Sequence, residues 1–159
     1  MEPSVSVFLP VCNVQSALEA QVERVLDILP ELTDRFDVLI IDDGSTDETM
    51  DIARELAVRY PQVGAVRHAE RLGTAEAIQT GLSYAAGDVV LVHSGEGAID
   101  PEELLKVWQR DIELQTEGRR GSLPAELSNC PLHSPDGSAG SKVSAATLPR
   151  KASRQTARR

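Results

Sequence analysis

Apolar and polar residues follow two alternating patterns along this chain. Short apolar runs predict strands at 5–10, 37–41, 63–68 and 88–92. Apolar residues that recur every three or four positions predict helices at 16–29, 45–60, 73–86 and 100–112. A β-α unit repeated four times predicts an α/β fold: an open, mostly parallel sheet with right-handed crossovers and helices on both faces. We predict the strand order 3-2-1-4.

Residues with strong positional preferences mark the expected helix ends. Ser45 and Glu48 have the spacing of a capping box, which predicts that the second helix begins there. Pro61 ends that helix, and Gly87 closes the third one.

The pattern stops at about Glu117. Residues 118–159 are rich in Ser, Gly, Pro, Ala and Arg and contain few large apolar side chains. Such a segment cannot bury enough apolar surface to offset the entropy of ordering. We therefore expect a folded domain at 1–117, followed by a basic, low-complexity tail at 118–159 that is disordered.

Charge is divided unevenly between these two parts. The net charge is −9, but residues 1–114 carry 8 basic and 22 acidic side chains (−14), whereas residues 115–159 carry +5. An acidic body repels phosphates, which argues against nucleic acid as a partner. No apolar run reaches the roughly 20 residues of a membrane span. No secretory signal is visible at the N-terminus, so the expected location is the cytoplasm.

Polar residues follow all four predicted strands. Because ligands of open parallel sheets bind beyond the carboxyl ends of the strands, these four segments predict a site at one edge. The segments are 10–13, 42–47, 68–73 and 93–97. A dinucleotide-binding G-x-G-x-x-G after the first strand and a phosphate-binding P-loop are both missing from the sequence. Phosphate binding through a metal held by carboxylates remains. His68 and His93 are interpreted as hydrogen-bonded structural histidines.

Four motifs in this order resemble those of family 2 glycosyltransferases with the GT-A fold. The first strand ends in Pro10-x-x-Asn13, and the second is followed by Asp-Asp-Gly-Ser-x-Asp at 42–47. Ala-x-Gly-Asp at 85–88 precedes the fourth strand, and Pro-Glu-x-Leu follows at 101–104. The resemblance extends from about Val5 to Trp108 and corresponds to the N-terminal, donor-binding half of such an enzyme.

The resemblance implies transfer of a sugar from a nucleotide-diphosphate donor, a UDP- or GDP-sugar, to an acceptor hydroxyl with inversion. The residues matched to donor binding are Pro10, Asn13, Asp42, Asp43 and Arg71. A carboxylate at 42 or 43 can accept strong hydrogen bonds from a base N–H and from ribose hydroxyls. The alternatives are an acidic turn with a helix cap for the Asp-Asp-Gly-Ser segment, and a solvated loop arginine for Arg71.

The sequence departs from the family in two respects. Where the family has an Asp-x-Asp motif for Mg²⁺ or Mn²⁺, this chain has Ser94 and Glu96. Glu96 keeps one charged oxygen ligand, but the neutral Ser94 weakens metal binding; the alternative for Glu96 is a loop acid that binds no metal. No general base is identified after Trp108, so the catalytic residue is unknown and a partner chain is expected to supply the acceptor half. The alternative function is a catalytically silent donor-binding or scaffold module.

Overall fold

The computed structural model describes residues 4–93, 101–116 and 143–147. The elements, in chain order, are β1 (Val5–Val11), α1 (Leu18–Leu32), β2 (Phe36–Asp42), α2 (Thr49–Arg59), β3 (Val63–Arg67), α3 (Thr74–Tyr84), β4 (Val89–His93), α4 (Pro101–Thr116) and β5 (Val143–Thr147). The four predicted β-α units are therefore present.

The strands form one sheet in the order β3-β2-β1-β4-β5. The first four strands are parallel, which confirms the predicted order 3-2-1-4. In this register Val11 lies beside Asp42, and Asp42 lies beside Arg67. The carboxyl ends of β1, β2 and β3 therefore meet at one edge of the sheet.

Side chains of each strand alternate between two buried faces. On one face, Val7, Leu9 and Ile40 pack with α1, α2 and α4. On the other face, Phe8 and Ile41 pack with α3. Burial on both faces explains why the strands appear in the sequence as continuous apolar runs.

Helix α3 lies very close to the sheet because Gly81 has no side chain. A Cβ atom at this position would be 2.7 Å from the ring of Phe8 and 3.0 Å from Ile41 Cδ1. The glycine therefore sets the distance between α3 and the strands that end at the candidate site.

The fifth strand differs from the expectation of a disordered tail. Val143–Thr147 pairs antiparallel with β4, with Val143 beside His93 and Thr147 beside Val89. Without this strand, the outer edge of β4 would leave unpaired backbone N–H and C=O groups, so a backbone that can pair with it gains hydrogen bonds there. The other residues of the predicted tail lie outside the described residues.

The predicted capping box is wrong. Helix α2 begins at Thr49, and the residue that precedes it, Glu48, forms no side-chain capping bond. Instead, Asp47 Oδ1 accepts the backbone N–H of Thr49 at 3.0 Å. Ser45 lies four residues before the helix, and its hydroxyl is bonded to Asp42, as described below.

Candidate functional site

The loop after β1 is hydrogen-bonded to the turn after β2. Asn13 has a φ angle of 54°, in the left-handed region, which asparagine tolerates better than most residues. Its backbone N–H donates to Ser45 Oγ at 2.9 Å, and its Oδ1 atom accepts the backbone N–H of Thr46 at 2.8 Å. The side chain of Asn13 therefore holds two loops together, while the residue as a whole stays exposed.

Asp42 ends β2 and is completely buried. Its Oδ1 atom accepts the backbone N–H of Ser45 at 3.1 Å and also the Ser45 hydroxyl. Its Oδ2 atom lacks a hydrogen-bond donor but lies 3.5 Å from Nε of Arg67, a half-exposed side chain. The nearby cation compensates the charge of the buried carboxylate, and Arg67 Nη2 also donates to the carbonyl oxygen of Ser45 at 2.8 Å.

Asp43 is buried as well, and its carboxylate contacts three hydrogen-bonding groups. Its Oδ1 atom accepts the backbone N–H of Leu72 at 2.8 Å and lies 2.9 Å from Nδ1 of His68. Its Oδ2 atom accepts the backbone N–H of Gly73 at 2.8 Å. Burial raises the pKa of Asp43, but the bonds from His68, Leu72 and Gly73 outweigh it and place the pKa below its ordinary value. The carboxylate is therefore ionised at neutral pH.

Gly44 allows the segment after β3 to lie against the turn after β2. Its φ angle is 69°, and a Cβ atom there would be 2.6 Å from both the backbone N of Arg71 and the backbone C of Glu70. A larger residue would have to move this backbone, so only glycine fits the contact.

The structure brings most of the predicted site residues to one edge. Pro10 lies in β1 beside Ile41 and is partly exposed, and Asn13, Asp42 and Asp43 lie at the ends of β1 and β2. Arg71 lies in the exposed segment between β3 and α3. Ser94 and Glu96, the predicted metal-ligand positions, lie outside the described residues.

Sequence reasoning missed the role of Arg67 and assigned Ser45 to a helix cap. Both contact Asp42, and Ser45 also links Asn13 to that carboxylate. The relationship depends on strand register: Arg67 is the last residue of β3 and lies directly beside Asp42 on the adjacent strand. This pairing becomes visible once the register of β2 and β3 is known.

The Ala-x-Gly-Asp motif lies at the opposite edge of the sheet. Asp88 Oδ2 accepts the hydroxyl of Ser4 at 3.0 Å, and the backbone N–H of Gly87 donates to Ser6 Oγ at 2.9 Å. Ser6 in turn donates to Asp37 Oδ1 at 2.8 Å. These contacts join the beginnings of β1, β2 and β4. The motif therefore stabilises the end of the sheet that lies away from the candidate site.

The carboxylates at this edge have little capacity left for a divalent cation. The oxygen atoms of Asp42 and Asp43 already face donors or a guanidinium group, and in the described part of the chain no group of three His, Cys, Asp and Glu side chains could hold a metal ion. Asp42 and Asp43 therefore do not fit a divalent cation.

None of the helices within 4–93 and 101–116 is both long and apolar enough to cross a bilayer.

Comparison with known proteins gave one family and several relatives. The profile described as Glycosyl transferase family 2 matches residues 6–118. The chain is 25% identical over 112 residues to the uncharacterized glycosyltransferase YkcC of Bacillus subtilis, covering 69% of this chain. It is 32% identical over 101 residues to an undecaprenyl-phosphate 4-deoxy-4-formamido-L-arabinose transferase of Edwardsiella ictaluri, covering 63% of this chain.

A solved structure with the same fold is the mannosyltransferase PcManGT of Pyrobaculum calidifontis, in complex with GDP-Man and Mn²⁺. The TM-score is 0.54 at 25% identity, over 65% of this chain and 31% of that one. The chain likewise spans 35% of the Bacillus protein and 31% of the Edwardsiella protein, about a third of each relative's length.

Proposed function

The chain belongs to glycosyltransferase family 2, and we propose that it is the donor-binding half of an enzyme that transfers a sugar from a nucleotide diphosphate. The donor is a UDP- or GDP-sugar. In the reaction, an acceptor oxygen attacks the anomeric carbon from the face opposite the leaving group. The bond from that carbon to the diphosphate breaks, and the nucleoside diphosphate leaves with the electron pair. If the acceptor is a hydroxyl, its proton goes to a general base, whereas the oxygen of an ionised phosphate acceptor has no proton to lose.

The observation that carries this proposal is the joining of three strand ends at one edge of a parallel sheet. Asn13, Ser45 and Asp42 connect β1 to β2, and Asp43 connects β2 to the segment before α3. Ligands of such sheets bind at this edge. Because these bonds hold the loops in place before a ligand arrives, less ordering entropy is lost on binding.

We assign recognition of the nucleotide to the residues at this edge: Pro10, Asn13, Asp42, Asp43 and Arg71. Asn13 and Arg71 are exposed, so they can contact a ligand directly. Arginine suits the diphosphate because its planar fork of N–H groups matches the phosphate oxygens. The two buried carboxylates keep the loops in the shape that the nucleotide requires.

A divalent cation, Mg²⁺ or Mn²⁺, is proposed as a cofactor with Glu96 as its ligand and Ser94 at the other position of the motif. Support comes from PcManGT, whose structure is a complex with GDP-Man and Mn²⁺. When bound, such a cation neutralises charge on the donor diphosphate. Since Ser94 is neutral, we expect the metal to bind more weakly than in a chain with two acids.

The acceptor half is proposed to come from another part of the enzyme or from a partner chain. Without it, the rate gain from positioning two reactants is absent, and the 159-residue chain by itself should show little or no transfer. Undecaprenyl phosphate is the first acceptor to test, because the Edwardsiella relative bears it in its name.

Calorimetric titration of the chain with UDP and GDP, with and without Mn²⁺, tests the donor assignment. We expect one of the two to bind with a Kd of about 1 mM or tighter, and ATP at the same concentration to bind more weakly. Absence of binding by both nucleoside diphosphates would contradict the assignment. A donor-hydrolysis and transfer assay with the acceptor half supplied separates an enzyme from a scaffold, since a scaffold would bind donor and never turn it over.

A further inference from the structure

The side chain of His68 joins two elements at the candidate site. His68 directly follows β3 and is buried, with 8% of its surface exposed. Its Nδ1 atom lies 2.9 Å from Asp43 Oδ1, and its Nε2 atom lies 2.8 Å from the hydroxyl oxygen of Thr80 in α3. Because an ionised carboxylate can only accept, Nδ1 carries a proton that it donates to Asp43. In the neutral ring, Nε2 then accepts a hydrogen bond from the Thr80 hydroxyl.

The carboxylate that His68 contacts also holds the following segment. Asp43 accepts the backbone N–H groups of Leu72 and Gly73, both at 2.8 Å. Gly44 packs against the backbone of the same segment at Glu70 and Arg71. Residues 69–73 are therefore held both by the Asp43 carboxylate and by the turn at Gly44.

This segment carries the exposed cation assigned to the donor. Arg71 lies one residue before Leu72, whose N–H is bound to Asp43, and Gly73 immediately precedes α3. A shift of the Leu72 and Gly73 amides would therefore move the backbone of Arg71. His68 is buried, and its link to this segment runs through the Asp43 carboxylate.

We propose that His68 is a positioning residue for donor binding: through Asp43 and Thr80 it holds residues 69–73 in the geometry that presents Arg71 to the diphosphate of the nucleotide donor. The proposal rests on the function proposed above. An apolar side chain of similar size would fill the same volume, but it would deprive Asp43 of a donor and leave the Thr80 hydroxyl without the histidine nitrogen.

Three variants of the full chain separate positioning from packing. His68→Leu removes both ring contacts. His68→Asn places an amide N–H near the Nδ1 position, so it can still donate to Asp43, but it does not reach Thr80. Thr80→Val removes the hydroxyl alone. Ser83→Ala is the matched control in the same helix, because the Ser83 hydroxyl contacts the carbonyl oxygen of Gln79 instead.

The measurements are calorimetric affinity for GDP and UDP, amide hydrogen exchange at Leu72 and Gly73 by NMR, and the free energy of unfolding in urea. For His68→Leu we expect about tenfold weaker binding of the preferred nucleotide, as for loss of one well-placed charged contact, and faster exchange at both amides. His68→Asn should recover most of both. Thr80→Val should weaken binding about threefold, a smaller effect because Asp43 keeps its donor. Ser83→Ala should match the unchanged chain.

Unchanged nucleotide affinity in His68→Leu would overturn the proposal, whatever the exchange rates. So would a loss of affinity that His68→Asn fails to recover while its unfolding free energy is normal. If His68→Leu does not fold, Thr80→Val decides, and wild-type affinity in that variant counts against the proposal. If the unchanged chain binds neither nucleotide, the proposed function fails first, and exchange at Leu72 and Gly73 still decides whether His68 holds this segment.

Discussion

The Oδ2 atom of Asp43 accepts the backbone N–H of Gly73 at 2.8 Å, so the turn after β2 holds the residue that immediately precedes α3. The same carboxylate accepts the N–H of Leu72 through its other oxygen. An acidic residue of the Asp-Asp-Gly-Ser motif therefore organises the neighbouring loop from inside the protein. Substitutions at Asp43 should act on stability and on ligand binding together.

The stability supplied by Asp43 should depend on pH. Its folded-state pKa is lowered, so its contribution is present above the unfolded value of about 3.9 and is lost as the pH falls through the folded-state pKa. We expect Asp43→Asn to be destabilised by about 1.5 to 3 kcal/mol at neutral pH and to lose less on acidification. Urea unfolding at a series of pH values between about 6 and 3 measures this. Asp51→Asn, at an exposed position, should follow the unchanged chain. Parallel curves for Asp43→Asn and the unchanged chain would contradict the prediction.

Gly44→Ala should destabilise the fold at the site. The new Cβ atom would lie 2.6 Å from the backbone of Glu70 and Arg71, and the φ angle of 69° disfavours alanine. We expect a loss of about 1 to 3 kcal/mol in the free energy of unfolding. Gly64→Ala is the matched control, since its Cβ atom would meet the flexible end of Leu39 at 3.3 Å. Equal stability of the two variants would show that the Gly44 contact is not needed.

The two arginines near the site should respond differently to removal of charge. Arg67→Met takes the counter-charge from the buried Asp42 carboxylate, and we expect a loss of about 1 kcal/mol in stability, small because Arg67 is half-exposed. Arg71→Met should change stability by less than about 0.5 kcal/mol, as is usual for surface residues. It should weaken nucleotide binding about tenfold through loss of a phosphate contact. Urea unfolding and calorimetry on both variants check this. Full affinity in Arg71→Met would remove Arg71 from the site.

The predicted metal position can be tested by restoring an acid. Ser94→Asp should raise donor affinity in the presence of Mn²⁺, because a charged oxygen ligand replaces a neutral hydroxyl. Ser94→Ala should leave affinity nearly unchanged. Calorimetry with and without Mn²⁺ compares them, and transfer should stay absent in both, since neither supplies a general base. An Mn²⁺-independent gain in Ser94→Asp would count against a metal at this position.

Much of the fold was predictable because its signals are local. Apolar runs and helical periodicity identified four β-α units, and the handedness of crossovers restricted how parallel strands can be ordered. The Asp-Asp-Gly-Ser-x-Asp motif placed candidate site residues at strand ends, and the structure brings Asn13, Asp42 and Asp43 to one edge. The capping box failed because the same serine can cap a helix or bond a carboxylate, and local spacing does not distinguish the two.

The amino-acid sequence by itself determined the order of the four β-α units, the family and the strand ends at which the candidate site lies. Tertiary structure decided which partner each polar side chain takes. It joined Asp43 to His68 and Gly73 across 25 and 30 residues, placed Arg67 beside Asp42, and placed Asp88 at the opposite end of the strands. It also paired Val143–Thr147 with β4. Such contacts depend on strand register and on the distance between packed layers, and these are set when the whole sheet assembles rather than by neighbours in the chain.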